Sequence, residues 1–189
     1  TFFESFKMKS PKYHEQFESV TDTALFFTTR TAEKTIKFVE NSNNYFTGPN
    51  KPKAYSAYNK KTIYQNKNNE AISVELNKSH DFLMFEHIDS VWALRKKIYA
   101  DKRFNISKES CKTLPSGEHV LDITLTDTAS TRGILIKNVL KDGMLYEVRA
   151  KVDMVSEPTT FVQEFFENFQ LQISFFFKWT VKFVIILES

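Results

Sequence analysis

The sequence predicts an α+β fold, an antiparallel sheet packed by helices and preceded by a helical linker. Three observations carry that prediction. Residues 119–152 hold three strand-like runs separated by turn residues, the first and third alternating apolar and polar side chains. A Phe-rich stretch with helical spacing follows at 156–169, and another alternating run lies upstream at 70–76.

Taken from the start, Phe2-Phe3-Glu4-Ser5-Phe6-Lys7-Met8 is echoed by Phe165-Phe166-Glu167-Asn168-Phe169-Gln170-Leu171. The echo marks residues 1–10 as the tail of a preceding, similar module, with one full period in the chain. Between 23 and 41, Leu25, Phe26, Ala32, Ile36 and Val39 approximate one helical face, so residues 11–48 read as a helical linker segment. Gly48-Pro49-Asn50-Lys51-Pro52 breaks the chain there, and the α+β domain is expected over 49–171.

Within that domain, residues 58–64 and 70–76 read as strands joined by a polar turn at 65–69. In the second, Ile72, Val74 and Leu76 alternate with Ser73 and Glu75, the period of a half-buried strand. A short strand is expected at 81–85. A helix over 90–100 would be capped by Asp89 or Ser90 and would carry Val91, Trp92, Leu94, Arg95 and Ile98 at turn spacing.

The stretch after Leu114-Pro115-Ser116-Gly117 is the most legible. Leu121, Ile123 and Leu125 share a strand face, residues 133–140 form a second strand, and Asp142-Gly143 suits a two-residue hairpin turn. In the third strand Met144, Tyr146, Val148, Ala150 and Val152 alternate with Leu145, Glu147, Arg149 and Lys151. This pattern predicts a sheet covered on one side and wet on the other. Ser156-Glu157-Pro158 should open the last helix, with Ser156 as its cap. Phe161, Val162, Phe165, Phe166 and Phe169 make its apolar face, each buried side chain contributing about 1.5–3 kcal/mol.

Residues 172–189 form an apolar C-terminal tail interrupted by Lys178 and Lys182, short of the ~20 apolar residues a bilayer span needs. A membrane span is therefore not expected, although the tail is suited to peripheral contact. The net charge of +3 comes from 26 basic and 23 acidic side chains, a near balance that argues against nucleic acid as a partner. Lys51, Lys53, Lys60 and Lys61 interleave with Tyr55, Tyr58 and Tyr64 as in single-strand binders, but read better as the solvated face of an edge strand. One cysteine, Cys111, excludes an intramolecular disulfide and any multi-cysteine zinc site.

The order of strand, Asp/Ser/Thr-containing loop, Arg-Gly-led strand, Gly turn, Tyr-containing strand and a helix ending Phe-Phe-x-x-Phe resembles the C-terminal half of PsbP-like α+β sandwiches. The residues that carry the likeness are Asp122, Ser130, Arg132-Gly133, Gly143-Met144-Leu145-Tyr146 and Phe165-Phe166-Glu167-Asn168-Phe169. It covers roughly residues 55–171, with its specific part at 115–171. The pattern is also similar to modules of long bacterial proteins that alternate such domains with helical segments. The resemblance implies a fold and a non-catalytic scaffold or binding role, and carries over no catalytic site.

Chemistry-bearing residues are sparse. The histidines His14, His80, His87 and His119 form no ligand motif, and the spacing of His119 and Asp122 puts them on opposite faces of a strand, so no metal is expected. Ser116-Gly117 lacks the flanking glycine of a nucleophile elbow, and no Gly-rich phosphate loop exists, so no catalytic residue and no cofactor is assigned. Asp127, Ser130, Thr131 and Arg132 cluster in the loop that opens a central strand; they are the candidate binding residues, with Arg132 able to clamp a carboxylate or phosphate. The resulting expectation is a non-enzymatic scaffold or interaction module of a larger protein, whose partners are neighbouring modules or another protein chain. The alternatives are a small-ligand or lipid carrier with its cavity between sheet and helix, and a hydrolase-like or metal-dependent enzyme.

Overall fold

The computed structural model describes residues 16–40, 58–78, 87–100 and 103–172. The expectations for residues 1–10, for the Gly48–Pro52 break, for a strand at 81–85 and for the tail beyond 172 lie outside the described residues.

A seven-stranded sheet, antiparallel throughout, forms the centre of the molecule. Its strands are β3 (Ile36–Glu40), β4 (Tyr58–Gln65), β5 (Ala71–Lys78), β6 (Phe104–Thr113), β7 (His119–Asp127), β8 (Arg132–Lys141) and β9 (Met144–Asp153), in the order β3-β4-β5-β9-β8-β7-β6. A smaller sheet orders β1 (Phe17–Asp22), β2 (Phe27–Ala32) and β10 (Gln170–Leu171) as β1-β2-β10. Among the described residues the helices are α1 (Ile88–Tyr99) and α2 (Thr160–Glu167).

The expected strands of the C-terminal half are present, and the Asp142-Gly143 turn has φ of 49° and 72°, the left-handed pair a two-residue hairpin requires. The helical linker is not seen: residues 27–40 carry β2 and β3 instead. Phe26, at φ 56°, ends any helical run, and Asp22 holds the preceding turn by accepting the amides of Ala24 and Leu25 at 2.9 and 3.0 Å. Beyond it Phe27, Thr29 and Thr31 are buried, a period-2 pattern written partly in threonine. The expected caps also differ. α1 follows His87 and α2 follows Thr159, neither with a side-chain cap bond, so Asp89 lies in the first turn of α1 and Ser156 well ahead of α2.

One face of the large sheet presents Tyr64, Ile72, Val74, Leu76, Tyr146 and Val148 to α2 and the small sheet. The rings of Phe27, Phe165 and Tyr64 meet at centroid distances of 5.2–6.3 Å, and Phe27 lies 4.8 Å from Phe169. The other face is not simply wet, as the alternation in β9 led us to expect. α1 covers its β6–β8 side, packing Val91, Trp92 and Tyr99 on Leu121, Ile123, Leu125, Ile136 and Leu145. Glu147 is buried there because neighbours satisfy it: the Tyr99 hydroxyl at 2.5 Å, Arg149 at 2.6 Å and Arg95 at 3.7 Å. Gly133 lets β8 pack close to the turn after β9, since a Cβ there would fall 2.2 Å from the Met154 sulfur and 3.0 Å from the Leu125 carbonyl.

Candidate functional site

The loop expected to bind a ligand is organised around one carboxylate. Asp127, the last residue of β7, accepts the Ala129 amide at 3.0 Å and the Ser130 hydroxyl at 2.9 Å. Arg103 approaches the same carboxylate at 3.2 Å through Nη2 and 3.3 Å through Nε. The amide and hydroxyl bonds, with Arg103 behind them, hold the Asp127 carboxyl below its usual range. Ser130 also receives the Arg132 amide at 3.3 Å, and the Thr131 carbonyl accepts the Met154 amide at 2.7 Å. Asp127 and Ser130 thus meet inside a turn. Arg132 lines a different place, a surface concavity of about 440 Å³ shared with Lys151, Asp153, Ser156 and Thr159.

A second concavity, about 550 Å³, lies between α2 and the β6–β8 side of the sheet. Lys108, Ser110, Asp122, Thr124, Leu135 and Phe166 line it. Lys112 stands 3.8 Å from Asp122, and Lys137 donates to the Phe166 carbonyl at the end of α2 at 2.5 Å. Burial depresses the Lys137 ammonium first, the charge of Lys112 adds to that, and Asp122 and Glu167 oppose it. Lys108 and Lys112 lie on β6 and Lys137 on β8, and β6 has no regular alternation, so the sequence offers no local pattern that gathers them.

The edges of the large sheet differ sharply. β6 carries Lys108, Glu109 and Lys112 and a register shift between Ile106 and Lys108. β3, at the other edge, leaves Ile36 58%, Phe38 47% and Val39 57% exposed. β4 is an interior strand, not the edge that its lysines suggested; Lys60 and Lys61 fall on opposite faces, and Tyr64 is buried rather than available for stacking.

His119 faces Thr113, with Nδ1 3.0 Å from its hydroxyl, while Asp122 sits on the opposite face beside Lys112. Cys111 is exposed on β6. Among the described residues no group of three or more His, Cys, Asp or Glu side chains converges as a metal site would require. No described helix is long and apolar enough to cross a membrane.

No protein-family model matches the chain, and no curated protein matches it in sequence. Among solved structures it is similar to the solution structure of cyanobacterial PsbP (CyanoP) from Synechocystis sp. PCC 6803. The two align with a TM-score of 0.56 at 9% identity, over 87% of this chain and 98% of the other. The fold is therefore PsbP-like, an α+β sandwich, as the pattern of residues 115–171 implied.

Proposed function

We propose that this chain is a non-catalytic protein-interaction module of a larger assembly, and that β3 is its docking element. The observation that carries the proposal is the exposure of Ile36, Phe38 and Val39 on an edge strand. Edge strands offer unpaired backbone groups to any extended segment, and soluble proteins ordinarily blunt them with charge or a bulge. β6 has both devices; β3 has no register shift, its Lys37 is engaged by Asp22 at 2.8 Å between three large apolar side chains, and its other charged residue, Glu40, stands at the strand's end. An extended segment of a partner protein, added as an eighth strand, would satisfy the β3 backbone and cover those side chains together.

The sheet–α2 interface supports this reading over a carrier with its cavity in the core. Phe27, Tyr64, Phe161 and Phe165 are buried there to 2% exposure or less, and the rings of Phe27, Tyr64 and Phe165 meet edge-on or tilted.

A photo-crosslinker at position 38, with position 111 on the opposite edge as control, identifies the chain that reaches β3. The affinity of that partner is then measured against Phe38→Glu. A loss of about tenfold or more is expected, since one buried aromatic anchor contributes more than 1.4 kcal/mol. Equal affinity, or crosslinking from 111 alone, rejects β3 as the docking element.

A further inference from the structure

The groove between α2 and β6–β8 has a construction that the docking edge does not explain. Its volume of about 550 Å³ falls in the range of small-ligand sites, roughly 300–1,000 Å³. Its polar floor is made by the irregularity in β6. Ile106 pairs with Leu125 on the face that α1 covers. In an unbroken strand Lys108, Ser110 and Lys112 would share that face. The extra residue, Ser107, shifts the register, so that Lys108 pairs with Thr124 and Ser110 with Asp122, on the groove side. Ser107 anchors the shift by donating to the Thr124 carbonyl at 3.1 Å.

Lys108 lines the groove, and Lys112 and Lys137 stand beside Asp122, which lies in its floor. Glu167 lies close enough to act on Lys137, whereas Glu109 turns its carboxylate to Lys96 on α1 at 3.4 Å. Lys137 spends one of its three protons on the Phe166 carbonyl. Lys108 has no ion-pair partner, and the Ser110 and Thr124 hydroxyls have no hydrogen-bond partner, among the described residues. Beside these donors, Leu135 and Phe166 supply an apolar wall.

We infer that this groove binds a small organic carboxylate with an apolar body. The charge lies between Lys108, Lys112 and the Ser110 hydroxyl, and the apolar part rests on Leu135 and Phe166. The inference is independent of docking at β3, which lies at the opposite edge of the sheet.

Hexanoate and its uncharged amide, hexanamide, are suitable probes, followed by amide chemical shifts in the intact chain. Hexanoate should move resonances at 108–112, 122–124, 135–137 and 166, and hexanamide should bind more weakly. Lys108 is exposed, so Lys108→Gln leaves the fold intact; it should weaken hexanoate by about tenfold, the worth of one charge-assisted hydrogen bond. Lys97→Gln on α1 changes the net charge equally and should leave affinity unchanged. Equal binding of acid and amide overturns the inference, as do shifts scattered over the surface, no shift at all, or an equal loss in the two lysine variants.

Discussion

Asp22, at the end of β1, accepts the phenolic proton of Tyr64, in β4, at 2.5 Å. One buried carboxylate thereby ties the small sheet to the large one. The same oxygen receives the Lys37 ammonium from β3 at 2.8 Å, and the second oxygen receives the two amides of the β1–β2 turn. Asp22 thus sets a local turn and a contact between sheets at once.

Replacing it should be costly. Asp22→Ala is expected to destabilise the fold by about 3 kcal/mol, the lower end for breaking a buried pair because Lys37 keeps contact with water. Tyr64→Phe leaves the carboxylate with Lys37 and both amides, and should cost about 1–2 kcal/mol. Urea denaturation measures both; equal losses would mean that the Tyr64 bond alone carries the junction.

Stability should fall at both ends of the pH scale for identifiable reasons. Burial alone would raise the Asp22 carboxyl, but the bonds from Lys37, Tyr64 and the Leu25 amide outweigh it and hold it below its ordinary value. Its contribution is present above the unfolded pKa, about 4, and is lost as pH falls through that value toward the folded one. Tyr64 and Tyr99 behave oppositely. Burial raises both hydroxyls, and the negative charges of Asp22 and Glu147 respectively raise them further. Their contribution is full below the unfolded pKa, about 10, and is lost as pH rises above it, because the unfolded chain releases those protons first. Urea midpoints across pH should show a flatter acid limb for Asp22→Asn and a flatter alkaline limb for Tyr99→Phe.

Gly133 tests the packing of β8 against the turn after β9. A methyl group there meets the Met154 side chain and the Leu125 carbonyl, so Gly133→Ala should cost about 1–3 kcal/mol. Adding Met154→Ala removes the closest clash and leaves the carbonyl contact. The double variant should therefore be less destabilised than the sum of the two single ones, and strict additivity would refute the contact.

What could be read from the sequence follows from how each strand is buried. β5, β7, β8 and β9 lie inside the sheet, with apolar partners on defined faces; alternation is plain in β5, β7 and β9, and β8 is legible as an apolar run between two turns. β2 buries Thr29 and Thr31, and the Thr29 hydroxyl is satisfied by the Phe165 carbonyl at 2.7 Å; a polar letter therefore stood at a core position and hid the period. β6 is an edge strand that is largely exposed, and its register shift reverses the faces halfway along, so no period survives. The candidate loop was legible as a turn, because Asp127 and Ser130 interact locally. The lysine groove was not, because its members meet only through the pairing of β6, β7 and β8.

The unequal edges give the sheet a direction of growth. If β3 is the docking element, a foreign strand adds beside Phe38, while the charged, bulged border at β6 disfavours one. Two copies meeting through β3 would leave only the β6 borders of their large sheets outward, and growth of that sheet would stop at a pair. Fibre formation through this sheet needs an acceptor border at each end, and among the described residues the large sheet has one.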